Sequence, residues 1–205
     1  MNNFLPLEIE AKFLNINKDE IRKKLIEVGA MLVRSEFDQK RINFHLPKEK
    51  KSDDRWLRVR DDGSIITLSL KEITGKDISD QKEISSNIDD FDNMVNLLEY
   101  IGCEKKALIF TKRELWKLSN VEITIDTWPF LEPFIEIEGI SEELVKTASS
   151  KLGFNFKEAV FGSVGKLYKD KYNISLDEIE LKVGNITFDN QKMKQLLETK
   201  TQLSI

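Results

Sequence analysis

Polar and apolar residues alternate along most of the first 140 positions, the period expected of strands with one buried face. Eight segments read as extended: Leu5–Leu14, Leu32–Leu46, Arg55–Asp61, Ser64–Lys71, Gln81–Ser86, Leu108–Leu118, Val121–Trp128 and Phe134–Gly139. Asp61-Asp62-Gly63-Ser64 and Ser119-Asn120 supply hairpin turns between alternating runs. Three stretches switch to the helical period. Asn17 can cap a helix carrying Ile21, Leu25 and Val28, stopped by Gly29. Asp89 or Asp90 can start a second, with Phe91, Val95 and Leu98 inward and Gly102 as stop. Ser141 opens a third, which Gly153 closes. A short fourth helix is expected over Ser163–Tyr172. Residues 175–205 read as a C-terminal appendage with a last helix over Asp189–Lys200, and residues 1–174 as the main domain.

The charges fall on these strands in an unusual way. Glu8, Glu10 and Lys12 share one face and Ile9, Ala11 and Phe13 the other. Arg58 and Arg60 oppose Leu57 and Val59. Lys71 lies with Thr67 and Ser69, opposite Leu68 and Leu70. Glu122, Thr124 and Asp126 oppose Ile123 and Ile125, and Glu136 and Glu138 oppose Ile135 and Ile137. Five strands thus repeat one design, an apolar face backed by a face of like-charged pairs. A solvated sheet face usually mixes signs, and like charges side by side repel unless something compensates them. A closed barrel of about eight antiparallel strands would gather the charged faces inward and set the apolar faces under helices. The expected class is therefore α+β. Such an interior is costly unless paired or ligand-bound. Its cationic walls would hold an anion, with the planar forks of Arg58 and Arg60 suited to phosphate oxygens. Its carboxylates would hold a hard cation, Mg²⁺ or Mn²⁺.

Composition narrows the alternatives. Of 205 residues, 40% are hydrophobic and 33% charged, which is a globular balance, and a net charge of -4 gives no general attraction to nucleic acid. A single cysteine, Cys103, rules out an intramolecular disulfide, and one histidine with one cysteine makes no zinc site. No apolar run approaches the roughly 18–20 residues of a membrane span. The N-terminus turns charged too early for a signal peptide, so a cytoplasmic location is expected. His45 and the charged loop 47–54 read as surface features, and Trp56, Trp116 and Trp128 as core or rim packing. The Gly162–Lys166 run lacks the spacing of a phosphate loop.

At its charged residues the chain resembles the CYTH superfamily, also called triphosphate tunnel metalloenzymes. The run Glu8-Ile9-Glu10-Ala11-Lys12 is an ExExK signature. In the expected order there follow Leu57–Arg60, Thr67–Lys71, Lys112-Arg113-Glu114, Val121–Asp126 and Phe134–Gly139, covering residues 4 to 172. The resemblance implies an eight-stranded tunnel. It implies that Glu8, Glu10, Glu136 and Glu138, with Asp126 and Glu83, ligate metal or support its ligands. It further implies that Lys12, Arg58, Arg60, Lys71 and Arg113 grip a triphosphate. Lys112 and Glu83 are counted with that substrate-binding set, and Lys12, Glu10 and Glu138 are the expected catalytic groups. Known activities of such proteins include inorganic, thiamine and RNA triphosphatases and class IV adenylate cyclase. The leading expectation is a metal-dependent hydrolase of tripolyphosphate, ATP or thiamine triphosphate. An adenylate cyclase is the alternative, and a non-catalytic polyphosphate- or nucleotide-binding module the third. The chain departs from its relatives in three places. The fifth strand keeps only Glu83, between Gln81 and Ser85. Thr111 stands where many relatives have lysine. The strand around Arg41 is altered. A homodimer is left open.

Overall fold

In the computed structural model, residues 5–202 are described, and they form eight strands and six α-helices. The strands are β1 (Ile9–Phe13), β2 (Met31–His45), β3 (Arg55–Asp61), β4 (Ile66–Ile73), β5 (Gln81–Ile88), β6 (Glu104–Leu118), β7 (Val121–Thr127) and β8 (Phe134–Gly139). The helices are α1 (Lys18–Glu27), α2 (Phe91–Tyr100), α3 (Glu142–Lys151), α4 (Gly165–Tyr172), α5 (Leu176–Val183) and α6 (Gln191–Gln202). All eight expected strands are present. The expected caps also form: Asn17 accepts from the N–H groups of Asp19 and Glu20, Asp90 from that of Asn93, and Ser141 from that of Leu144. One helix is absent from the periodicity. α5 is only eight residues long, and its Ser175 cap accepts from the Glu178 N–H.

The strands make one antiparallel sheet in the order β1-β8-β7-β6-β2-β3-β4-β5, curled into a half-barrel. Two 15-residue strands, β2 and β6, form its spine, and register shifts between them at Leu32/Arg34, Arg34/Phe37 and Ile42/Phe44 bend it. The two edges meet at the start of β1. There the Glu8 N–H donates to the Gln81 carbonyl (2.9 Å) and the Glu83 N–H to the Pro6 carbonyl (3.1 Å). Further along, Lys12 pairs with Val160 instead, through a reciprocal pair of backbone bonds of 3.0 and 2.9 Å.

The apolar faces lie outside, under helices. Ala11, Ile123, Ile125, Ile135 and Ile137 pack with Ile21 and Leu25 of α1 and Val145 and Ala148 of α3. Ile42, Phe44 and Val59 pack with Phe91, Val95 and Leu98 of α2. A third cluster joins the sheet to the C-terminal helices. Ala107 and Ile109 share the face of Thr111 and Arg113, and with Trp128 and Phe134 they meet Ile174, Ile179, Ile186, Met193 and Leu197. β7 pairs with β6 only from Lys112 onward. Before that point Ile186 takes the free edge, receiving the Phe110 N–H and donating to the Leu108 carbonyl, both at 2.9 Å. Residues 174–197 therefore contribute backbone pairing and buried side chains to the wall of the barrel.

Candidate active site

Strand parity turns Glu10 and Lys12 of β1, with Glu8 just before it, Glu136 and Glu138 of β8, Arg58 and Arg60 of β3, and Lys71 of β4 into one cavity of about 740 Å³. Glu10 faces Glu138 across β1 and β8, and Glu138 faces Glu122 across β8 and β7. Carboxylate oxygens of Glu8, Glu10 and Glu138 lie within 4.8 Å of one another. Burial, then the like charges of Glu8, Glu10 and Glu122, push the Glu138 carboxyl up to about 8. Burial does the same to Glu8, raising it to about 7 against the opposing pull of Lys71. Three clustered oxygen donors, two of them resisting ionisation, are a donor set that a hard divalent cation fits.

Cations surround this cluster. Lys12 is fully enclosed. It pairs with Glu10 and lies 3.4 Å from Glu136. Burial would lower its ammonium, but Glu10 and Glu136 prevail and hold it above its ordinary value. It is a fixed positive charge at neutral pH. Lys71 reaches Glu8 at 2.9 Å and Glu83 at 2.7 Å, and Arg58 reaches Glu83 at 2.9 Å. Burial opposes ionisation of Glu83, yet Arg58 and Lys71 keep it far below the usual carboxylate range. Arg113 spans Asp126 and Glu136. Burial, then Arg58 and Arg113, lower the Arg60 guanidinium to about 10.

The residues expected from the sequence fall into separate groups. Glu8, Glu10 and Glu138 come together. Asp126 and Glu136, expected with the metal ligands, lie instead against Arg113, and Glu136 also against Lys12. Glu83 holds Arg58 and Lys71 rather than standing free. Lys112 is a correction. Parity sets it opposite Thr111 and Arg113, and it pairs at 3.6 Å with the exposed Asp38 on the outside. His45 and Trp56 line the cavity, as does Trp128, while Trp116 is buried outside it and donates to Glu114. The residue missed is Arg41. It lines the cavity at 4% exposure and donates to Gln39 at 2.6 Å and Thr111 at 2.8 Å, with its guanidinium 4.8 Å from the Trp128 ring. Its signal is the parity it shares with Gln39 and Asn43, on a strand where neighbouring Lys40 obscures the alternation.

A curled antiparallel half-barrel with cations and carboxylates turned inward is consistent with the family that the sequence matches. The CYTH domain model matches residues 6–160, most of the chain, and the chain belongs to that family. A protein of Methanocaldococcus jannaschii with the provisional name adenylate cyclase is 25% identical over 175 residues, 84% of this chain and 93% of its own. Among solved structures, a Vibrio parahaemolyticus protein, also provisionally an adenylate cyclase, superposes with a TM-score of 0.67 at 16% identity, covering 80% of this chain and 98% of its own. A Hippeastrum protein, provisionally an adenylyl cyclase and described as having a dominant triphosphatase activity, superposes with a TM-score of 0.53. It is 13% identical, with coverage of 83% and 98%. The family match ends before α4, so α4–α6 lie beyond it. Among the described residues no helix is long and apolar enough to cross a membrane.

Proposed function

We propose that the chain is a metal-dependent triphosphatase acting on tripolyphosphate or a triphosphate-bearing compound such as ATP or thiamine triphosphate. The observation that carries this reading is the opposition, in one cavity, of the Glu8/Glu10/Glu138 cluster to a wall of Arg58, Arg60, Lys71 and Arg113. In this reading the wall cations bind the oxygens of the phosphate chain and align it, while Glu8, Glu10 and Glu138 hold Mg²⁺ or Mn²⁺. When bound, the metal neutralises non-bridging phosphate oxygens. Water attacks the terminal phosphorus and the bridging P–O bond breaks toward the rest of the chain. Lys12, fixed as a cation, stabilises the oxygen that departs and does not take the proton from water. The proton released by the attacking water passes to an oxygen of the phosphate formed, since Glu138 is ionised and engaged when it holds the metal.

A second reading, class IV adenylate cyclase, is favoured by the names of the archaeal and Vibrio relatives. It is favoured too by a cavity larger than a phosphate chain needs, with Trp56 and Trp128 on its lining. The ribose 3′-oxygen would then replace water, and pyrophosphate would leave. Incubation with ATP and, separately, with tripolyphosphate in Mg²⁺ or Mn²⁺ separates the two. Orthophosphate from tripolyphosphate, without cyclic AMP from ATP, is the expected result. Cyclic AMP with pyrophosphate would overturn it in favour of the cyclase.

A further inference from the structure

The inward cations are not equally compensated. Lys12, Lys71, Arg58 and Arg113 each have a carboxylate partner within 4 Å, but Arg41 and Arg60 have none among the described residues. These two are direct partners across β2 and β3, and Arg60 in turn faces Thr67 across β3 and β4. Asn43 faces Arg58 in the next row. In this block the Arg41 Nε, the Asn43 Oδ1, the Arg58 Nε and the Thr67 Oγ1 are buried without a hydrogen-bond partner. Orphaned buried polar atoms of this kind are costly, and two guanidiniums facing each other repel. Arg41 cannot turn away to relieve this, because Gln39, Thr111 and the Trp128 ring fix it.

We propose that Arg41 and Arg60, with Thr67, form a seat for a doubly charged terminal phosphate, so that this cavity grips both ends of an unesterified tripolyphosphate. The inference rests on the triphosphate reading above and deepens it. A terminal phosphate carries nearly two charges and three free oxygens, which two planar forks can share. With the phosphate under attack held at the Glu8, Glu10 and Glu138 cluster, the seat receives the other end of the chain; in a nucleotide that end is the α-phosphate, which is esterified, carries one charge and offers fewer oxygens, so it leaves the seat under-neutralised. Arg41 is then a specificity residue, favouring inorganic tripolyphosphate over ATP.

The test is calorimetric binding of tripolyphosphate and of ATP, with chelator present so that no turnover occurs, to the wild type, Arg41→Gln and Arg41→Lys. Loss of a charge-assisted contact predicts that Arg41→Gln weakens tripolyphosphate by about tenfold or more and ATP by less than about threefold. Arg41→Lys, a point charge without the fork, should fall between. Thermal unfolding should show Arg41→Gln at least as stable as the wild type, since it removes an uncompensated buried charge. If that variant does not fold, the Lys variant decides by the same ratio of affinities. An unchanged ratio, with the wild type still binding both anions, overturns the seat and leaves the triphosphate reading standing. A wild type that binds neither anion, in chelator or with Mg²⁺ added, overturns both.

Discussion

Arg113 grasps Asp126 with two hydrogen bonds, Nε to Oδ1 at 2.7 Å and Nη2 to Oδ2 at 2.8 Å, and the carboxylate is wholly buried. Thr124 donates to the same carboxylate at 2.7 Å, and Arg113 continues to Glu136. Asp126 therefore positions a guanidinium. Asp126→Asn should destabilise the fold by about 3 kcal/mol by leaving a buried cation short of its partner. It should weaken tripolyphosphate binding while leaving Mn²⁺ affinity unchanged. Denaturant unfolding and metal titration check both parts.

Arg58 reaches into the cavity from β3 and is held there by Glu83. Arg58→Ala should weaken tripolyphosphate binding by about tenfold or more, the worth of a charged hydrogen-bond contact. Unchanged affinity, measured by calorimetry, would mean that the side chain does not meet the ligand.

The carboxyls of Glu8 and Glu138 rise from an ordinary 4.5 to about 7 and about 8, chiefly through burial. In the metal-free protein the folded state therefore holds protons that the unfolded state has released. The stability they supply is complete below about 4.5 and is lost as pH climbs through 7 and 8. Glu180, raised by burial to about 7, adds to the same trend outside the cluster. The melting temperature in chelator should fall between about pH 5 and about pH 9. Mn²⁺ should reverse most of that fall, and its affinity should rise with pH. In Glu138→Gln the metal-dependent reversal should be lost.

Ile186 lies wholly buried on the free edge of β6. Ile186→Ala should cost about 3 kcal/mol, within the range for emptying a packed aliphatic site. Denaturant unfolding followed by tryptophan fluorescence should show a single transition shifted as a whole, because Trp128 packs in the same cluster.

Strand alternation makes the barrel legible because one-residue parity decides the face of every side chain. It places Glu8, Glu10, Lys12, Arg58, Arg60, Lys71, Asp126, Glu136 and Glu138 in the interior without any contact information, while Arg113 comes only from the family resemblance. It does not distinguish which carboxylates cluster and which neutralise arginines. That depends on the stagger between strands, which carries Asp126 to Arg113 and Glu138 to Glu10. Lys112 is misplaced when it is grouped with Arg113 as an adjacent cation, because adjacent strand residues point to opposite faces. Arg41 meets Thr111, and Ile186 meets Ile109, only through long-range register, which no local pattern encodes.

The most direct test of the account is phosphorus NMR of tripolyphosphate incubated with Mg²⁺ and either the wild type or Glu138→Gln. The account predicts metal-dependent release of orthophosphate by the wild type and its loss in the variant. Release at the full rate by Glu138→Gln would contradict the assignment of the Glu8, Glu10 and Glu138 cluster as the metal-binding centre of the reaction.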